Sequence, residues 1–386
     1  MEWSKILNEL GEDRAAYHGA ITPPTFQTSN FAFPDVTTFR AAIQDELAHH
    51  IYTRGNNPTV QILREKLAAL ENTEDALVLS SGSSAIAAAL MNQVNAGDHV
   101  VCVNAPYSWT VKLLNNFLSR FQVRVTYVDG RSIEAIEQAI QSNTKVLFLE
   151  SPNTMTFELQ DLQACGELAK QHGLVSIIDN SYCSPYFQNP ANFGIDLVVH
   201  SGTKYLNGHS DVVCGVICGS KAHIKSIFEQ EYMTLGLIIS PTEASMILRG
   251  LRTLPLRMEQ SNATAQELVK RLQAHPKVKQ IYFPFGDDFP QRDLAHRQMR
   301  GTGGLFSFLL LADDIQQAET FCNRLTRFLL AASWGGHESL YMPACAFYNV
   351  PGRPDSSLPW NLVRLYIGLE DVEYLWADLE HSLSLL

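Results

Sequence analysis

The sequence predicts an α/β protein: a mostly parallel central sheet covered on both faces, with an N-terminal arm and a smaller C-terminal α/β domain. Three observations carry this. Across residues 59–240, short apolar runs alternate with segments of helical period, the pattern of strands buried on both faces and joined by helices. Residues 1–58 are broken by Pro23-Pro24, Pro34 and Asn56-Asn57-Pro58, and read as an irregular arm that lies over something else, a neighbouring subunit being one candidate. Residues 241–386 change texture, with long helical stretches over Pro241–His275 followed by sparser strands.

The elements follow in order. Val60–Leu70 places Ile62, Leu63, Leu67 and Leu70 at helical spacing. Ala76–Leu79 is a short apolar run, then small residues lead into a helix over Ala85–Asn92. His99–Val103 is a strand, Trp109–Phe121 a helix, Val123–Val128 a strand, Ile133–Ile140 a helix and Lys145–Leu149 a strand. Leu162–His172 is helical, and Leu174–Ile178, Leu197–His200 and Val212–Cys218 are strands. In the C-terminal part, Gly304–Leu311 and Leu362–Ile367 read as strands and Ile315–Leu325 as a helix.

Composition narrows the function classes. With 46% hydrophobic and 18% charged residues, the 386-residue chain is neither disordered nor a coiled coil. A net charge of −11 without a basic stripe argues against nucleic acid and against an anionic membrane surface as partners. The apolar-looking stretch Ala76–Val94 is cut by Ser80-Ser81-Gly82-Ser83-Ser84, so it is no membrane span, and the start of the chain lacks the basic and apolar parts of a signal peptide. The expected location is the cytoplasm. Seven scattered cysteines without a Cys-x-x-Cys pair read as free buried thiols, and the adjacent His49-His50 as a solvated pair, with no metal site expected.

In parallel sheets, ligands sit at the carboxyl ends of the strands. The residues that follow the expected strands are therefore the candidates. Ser80-Ser81-Gly82-Ser83-Ser84 offers amides at a helix N-terminus, suited to a phosphate but equally explained as a capped tight turn. Asp179-Asn180 follows Leu174–Ile178 and is either a helix cap or a partner for a buried cation. Ser201-Gly202-Thr203-Lys204-Tyr205 puts a lysine among hydroxyls and small residues between two apolar strands; burial makes such an amine a nucleophile for Schiff-base chemistry, and the bland alternative is a surface lysine in a hairpin loop. An anion cradle, an aspartate for a pyridinium nitrogen and a Schiff-base lysine are together the handles for pyridoxal phosphate.

The sequence resembles the trans-sulfuration (Cys/Met metabolism) branch of the fold-type I pyridoxal-phosphate-dependent enzymes. The matching stretches run in order from Tyr52-Thr53-Arg54-Gly55-Asn56-Asn57-Pro58-Thr59 through Ser80-Ser81-Gly82, Glu150-Ser151-Pro152, Ile178-Asp179-Asn180 and His200-Ser201-Gly202-Thr203-Lys204-Tyr205. They continue through Gly208-His209-Ser210-Asp211 and Arg249–Leu254 to Ser333–Leu340 and Val363–Asp371. The resemblance implies that Lys204 carries the cofactor, that Asp179 pairs with its ring nitrogen and that Tyr107 stacks on its ring. It implies that Gly82 and Ser83 amides and the Ser201 and Thr203 hydroxyls hold its phosphate. Tyr52 and Arg54 would reach the phosphate of a neighbouring subunit, and Arg364 would clamp the substrate carboxylate with help from Ser333. The bland alternatives are a core tyrosine at Tyr107, an inter-domain ion pair at Arg364 and plain surface residues at Tyr52 and Arg54. The implied assembly is a homotetramer built from dimers with shared active sites, acting on a small amino-acid substrate.

Within this family the bacterial cystathionine β-lyases carry Ser-Trp-Gly-Gly, as Ser333-Trp334-Gly335-Gly336 does here, whereas many γ-acting members carry leucine at that place. Thr154 stands where most members have asparagine followed by proline, again as in the β-lyases. These features favour β-elimination from cystathionine or a related S-substituted cysteine, giving thiol, pyruvate and ammonia. The same-class alternative is a γ-acting enzyme: cystathionine γ-synthase, cystathionine γ-lyase or methionine γ-lyase. Departures from the pattern are Ser83, the general rather than β-lyase form of Tyr52–Thr59, and Ser108-Trp109, where Trp109 would narrow the substrate pocket. A cofactor-fold protein without turnover is a further alternative, and a dinucleotide-dependent dehydrogenase lacks its glycine fingerprint.

Overall fold

The computed structural model describes residues 2–352 and 355–386; Met1, the first residue of the expected arm, lies outside them. The N-terminal region has two short helices, Trp3–Asn8 and Val36–Ala42, in otherwise irregular chain. Seven strands then build the large sheet: β1 Asp75–Leu79, β2 His99–Val103, β3 Arg124–Val128, β4 Thr144–Glu150, β5 Val175–Asp179, β6 Leu197–Ser201 and β7 Gly215–Gly219. Their order is β1-β7-β6-β5-β4-β2-β3. Strands β6, β5, β4, β2 and β3 are parallel, and β7 runs antiparallel between β1 and β6. The β6–β7 connection that carries Lys204 contains no crossover helix, and β7 returns antiparallel to β6.

Alternate residues of these strands feed two apolar clusters. Val101, Leu147, Ile178 and Val198 point to one face, and Cys102, Phe148, Ile177 and Val199 to the other, all fully buried. This double burial explains why the strands read as continuous apolar runs rather than alternating ones. The Pro58–Leu70 and Leu162–His172 helices cover the first face, and Gly82–Gln93 the second. The expected Trp109–Phe121 helix is instead regular only over Ser108–Lys112, widens over Leu113–Phe117 and tightens over Leu118–Phe121; Asn115-Asn116 are weak helix formers in its middle.

The C-terminal region opens with helices Pro241–Arg252 and Leu254–Gln273. Its sheet contains β8 Val278–Tyr282, β9 Leu305–Leu310, β10 Leu329–Leu330, β11 Leu340–Pro343 and β12 Leu362–Tyr366, ordered β10-β11-β12-β9-β8. One face packs on Leu254–Gln273, Ile315–Arg324 and Val372–Ser384 through Leu268, Leu272, Phe321, Leu375 and Leu379. The opposite face carries Met342, Arg364 and Ser307 side by side in register, and turns toward the large sheet. Tyr182 Oη donates to the Leu305 carbonyl at 3.0 Å, and the Tyr205 and Tyr366 rings lie 5.9 Å apart. Among the described residues no helix is long and apolar enough to cross a membrane.

Candidate active site

The ends of β1, β6 and β7 meet at a close approach. Ser81 caps the Gly82–Gln93 helix, its hydroxyl accepting from the Ser84 amide while the Ser84 hydroxyl accepts from the Ser81 amide, both at 3.0 Å. That leaves the Gly82 and Ser83 amides without a protein acceptor among the described residues. A Cβ at Gly82 would stand 2.8 Å from Ser201 Cβ, and one at Gly215 would stand 1.9 Å from the Ser81 carbonyl oxygen. Two glycines therefore let the helix start reach Ser201 and form a small cradle of amides and hydroxyls, which suits an anion. Thr203 sits one turn away with its hydroxyl already committed: it accepts from the Cys214 amide at 2.9 Å and donates to the Cys214 carbonyl at 3.3 Å. Thr203 thus fastens the lysine loop to the residues leading into β7, and Ser201 is the hydroxyl left to the cradle.

Lys204 lies in that loop with its backbone caged. Its amide donates to the Ser201 carbonyl, its carbonyl accepts from Gly208, and a Cβ at Gly335 would come within 2.8 Å of its Cα. Its Nζ donates to Ser333 Oγ at 2.5 Å and lies 5.6 Å from the Trp334 ring centre. Ser333 reaches it from a backbone with φ +95°, strained for a residue with a side chain. Burial first, and the nearby Arg364 charge second, push the Lys204 ammonium down to about 8, while Asp179 acts the other way. Arg364 on β12 is buried without a carboxylate partner among the described residues. It touches the Met155 and Met342 sulfurs at 3.8 and 3.6 Å and donates to the Ser333 carbonyl at 3.3 Å, and burial pushes it down to about 10. Ser307 beside it in register has a buried hydroxyl with no partner among the described residues. A guanidinium this poorly satisfied is ready for an incoming carboxylate.

Asp179 ends β5 and accepts from the Ser181 amide at 2.9 Å. Burial raises its carboxyl, and the Ser181 hydrogen bonds, His200 and Lys204 counter that. Beneath it, on the opposite face, His200 Nε2 meets Glu71 Oε1 at 2.5 Å, and the Asn180 side chain donates to Glu71 and to the Gln188 carbonyl, each at 3.0 Å. Beside it, Glu150 ends β4 in register with Asp179 and accepts from the Tyr107 amide and the Thr154 hydroxyl, both at 2.6 Å. The structure thus joins Tyr107 to Asp179 through Glu150, a residue that the sequence reading quoted only as part of a motif. Its position at a strand's carboxyl end was the available signal.

Lys204, Ser333, Trp334 and Arg364 form one cluster, Gly82, Ser83 and Ser201 a second, and Asp179, Glu150 and Tyr107 a third along the same sheet edge. Tyr52 and Arg54 join none of them. Both are exposed, Arg54 donates to the Met233 carbonyl at 3.4 Å and lies 5.9 Å over the Tyr52 ring. Trp109, expected to narrow the pocket, is 55% exposed with the Lys112 ammonium 4.2 Å from its ring centre. It begins a helix whose exposed side it occupies. The seven cysteines are all free and buried, as expected. The His49-His50 pair is solvated only at His49; His50 is half-buried and bonds Gln61 Oε1 at 2.7 Å.

The anion cradle, the buried aspartate and the depressed lysine fit pyridoxal phosphate. Comparison with known proteins decides the matter. The model of the family described as Cys/Met metabolism PLP-dependent enzyme matches residues 5–384. The chain belongs to this family. Within the Cys/Met metabolism PLP-dependent enzymes it is 37% identical to the L-methionine gamma-lyase of Pseudomonas putida over 97% of this chain and 95% of the relative. It is 39% identical to that of Treponema denticola over 96% and 94%. Its fold matches the crystal structure of metB from Corynebacterium glutamicum at TM-score 0.92 and 30% identity, covering 100% and 98% of the two chains. The family's cofactor is thereby this chain's cofactor, and its α/β fold is the family's.

Proposed function

We propose that the chain is a pyridoxal-phosphate-dependent carbon–sulfur lyase that acts at Cγ, releasing a thiol, 2-oxobutyrate and ammonia from methionine or a similar thioether amino acid. What supports the γ reading over the β reading is kinship: the two L-methionine gamma-lyases named above align over nearly the whole chain. The surroundings of Arg364 agree, because Met155 and Met342 offer thioether contacts and suit an apolar substrate tail.

When bound, the cofactor supplies an electron sink for the charge that develops at Cα. The chain's residues do the rest. Arg364 binds the substrate carboxylate in its fork, and Ser307 and the Ser333 region border it. Lys204 Nζ, uncharged near neutral pH in a fraction set by its burial, would lift the α-proton, hand it on to the cofactor side of the substrate and, neutral again, take a β-proton. Ser333 keeps that amine aimed between the two carbons. Asp179 would hold the ring nitrogen and Gly82, Ser83 and Ser201 the phosphate, with Tyr107 against the ring; Tyr107 or Lys204 would return a proton to the leaving sulfur. Trp334 borders the reacting lysine. Tyr52 and Arg54, both exposed on this chain, would reach the phosphate of a second subunit, which makes the working form at least a dimer and on this reading a homotetramer of a cytoplasmic enzyme. Residues 59–240 then form the cofactor-binding domain and 241–386 the domain that supplies the carboxylate clamp.

The second reading, β-elimination from cystathionine, is favoured by Trp334 and Thr154. One assay separates the two. The purified holoenzyme is given L-methionine and, separately, L,L-cystathionine, and the keto acid is identified. 2-Oxobutyrate from methionine supports the γ reading; pyruvate from cystathionine with methionine untouched sinks it and restores the β reading.

A further inference from the structure

Glu150 is a buried acid with no cation bonded to it among the described residues. Its strand neighbour is another acid, Asp179, in register on a parallel pair, so both side chains leave the sheet on the face that also carries Phe148 and Ile177. Two buried carboxyls side by side cannot both ionise cheaply, so a proton on one of them relieves the repulsion. Their surroundings decide where it sits. Asp179 lies near the Lys204 ammonium, feels His200 from across the sheet and accepts the Ser181 amide. Among the described residues Glu150 faces neutral donors, the Tyr107 amide and the Thr154 hydroxyl and amide, together with Asp179 from β5 and the buried Cys102 thiol from β2. The hydrogen bonds accommodate a proton once the Thr154 hydroxyl, which donates to Oε1 when Glu150 is ionised, turns to accept. Oε2 accepts from Tyr107, and a proton on Oε1 donates to Thr154 Oγ1 across 2.6 Å, an ordinary O–H···O distance.

We propose that Glu150 is a positioning residue that carries the proton of the Glu150–Asp179 pair and, as a neutral carboxyl, anchors the backbone of Tyr107 over the cofactor while Asp179 alone meets the ring nitrogen as an anion. The loop after β2 is otherwise weakly held at this point, since Tyr107 is 39% exposed and precedes a helix with no side-chain cap. Glu150 thus ties the residue above the cofactor ring to the strand end beneath it. The proposal rests on the family's cofactor and on neither reading of the substrate.

The test compares Glu150→Gln with Glu150→Leu as holoenzymes. Glutamine copies a protonated carboxyl: its oxygen accepts from Tyr107 and its amide donates to Thr154. The expected result is that Glu150→Gln retains the visible circular dichroism of the bound cofactor, the pH midpoint of its visible band and kcat. Glu150→Leu, lacking the acceptor for the Tyr107 amide, is expected to weaken that dichroism and to lower kcat by about tenfold, the loss of one buried hydrogen bond. A Glu150→Gln midpoint displaced from wild type overturns the proposal, because it means that a charge was removed. An unchanged dichroism and kcat in Glu150→Leu overturns the positioning role. If Glu150→Leu does not fold, Thr154→Val withdraws the acceptor of the Glu150 proton; a weakened dichroism supports the proposal and an unchanged one counts against it. A wild-type protein with its visible band intact but no action on methionine would defeat the substrate reading and leave this test standing.

Discussion

Lys66 and Arg257 on one side, and Lys204 and Arg364 on the other, are two contrasting pairs of cations wholly or largely enclosed by the described residues. Lys66 is 1% exposed, and its Nζ donates to the Ile6 and Leu7 carbonyls at 2.8 and 3.1 Å and meets Glu12 at 3.1 Å. Arg257 donates to Thr253 Oγ1 at 3.0 Å and to the Tyr205 and Gly250 carbonyls, both at 2.8 Å. All three N–H bonds of Lys66 and one from each nitrogen of the Arg257 guanidinium are spent on the fold. Lys204 has one bond, to Ser333, and Arg364 has two thioether contacts and one long bond to a carbonyl. Burial alone does not distinguish a structural cation from a working one; the unmet donors do. Lys66 pins the N-terminal helix to Pro58–Leu70, whereas Lys204 and Arg364 have been left poorly partnered inside the protein, which costs stability and is recovered only when ligands arrive.

The largest expected effect is on Lys204. Lys204→Ala should lower kcat by on the order of 10³-fold, as expected for loss of a positioned base, and abolish the cofactor's covalent visible band. Lys66→Ala should do the reverse: leave kcat of the folded fraction alone and cost about 3 kcal/mol in denaturant unfolding, because Glu12 loses a buried partner. Equal kinetic damage from both substitutions would erase the distinction. Next comes Arg364→Ala, which should raise KM by about 100-fold with a smaller change in kcat, the signature of a lost carboxylate contact. Arg257→Ala should leave KM in place and lower stability by about 2 kcal/mol, since it strands carbonyl acceptors in the interior.

How far the two pairs were legible in the sequence differs between the two sheets. The seven-stranded sheet announced itself because its strands are buried on both faces, and the rule about carboxyl ends then led to Ser201, Asp179 and Lys204. The antiparallel β7 was readable as a strand but not as a reversal, since direction depends on the length and path of the loop that carries Lys204. The five-stranded sheet was half legible. β8, with Lys279 and Gln280 exposed, and β11, only four residues long, lack the continuous apolar run that marked the others. Arg364 stood out because it interrupts an apolar strand, yet its neighbours Met155 and Met342 are distant in sequence, and only folding brings the thioethers to it. Glu150 was missed as a site residue because its meaning lies in the register with Asp179. Lys66 gave no signal at all, as a lysine on a helix reads as solvated until its buried partners are known.

A pH measurement sharpens the contrast. Lys204 is brought down from 10.5 to about 8 on folding, mainly by burial. A base depressed in the folded state destabilises that state wherever the unfolded chain would hold the proton. The penalty is therefore complete below about pH 8 and is relieved as pH rises from there towards 10.5. In the cofactor-free protein at pH 7, Lys204→Met should accordingly stabilise, by up to about 3 kcal/mol, and the gain should shrink as the pH is raised. Lys66→Met should destabilise at the same pH. Thermal unfolding of the two cofactor-free variants at pH 7 and pH 9.5 checks both signs, and a stabilised Lys66→Met would show that its three oxygen partners do not compensate its burial.

The smallest effect concerns Ser333, which supplies the single bond that Lys204 does have. Its φ of +95° is one that glycine adopts freely and serine does not. Ser333→Gly should therefore relieve strain and raise stability by about 1 kcal/mol, while Ser333→Ala, which keeps a Cβ in the same backbone, should not. Both remove the hydroxyl, so both should lower kcat by about tenfold through a less well aimed amine, one hydrogen bond's worth. The pair thus separates the strain from the bond. If Ser333→Gly gained no stability over Ser333→Ala, the backbone would be relaxed by its neighbours Trp334 and Gly335. If kcat survived in both, Lys204 would be aimed by the cage around its backbone, by Gly335 and Gly208, rather than by the hydroxyl at its tip.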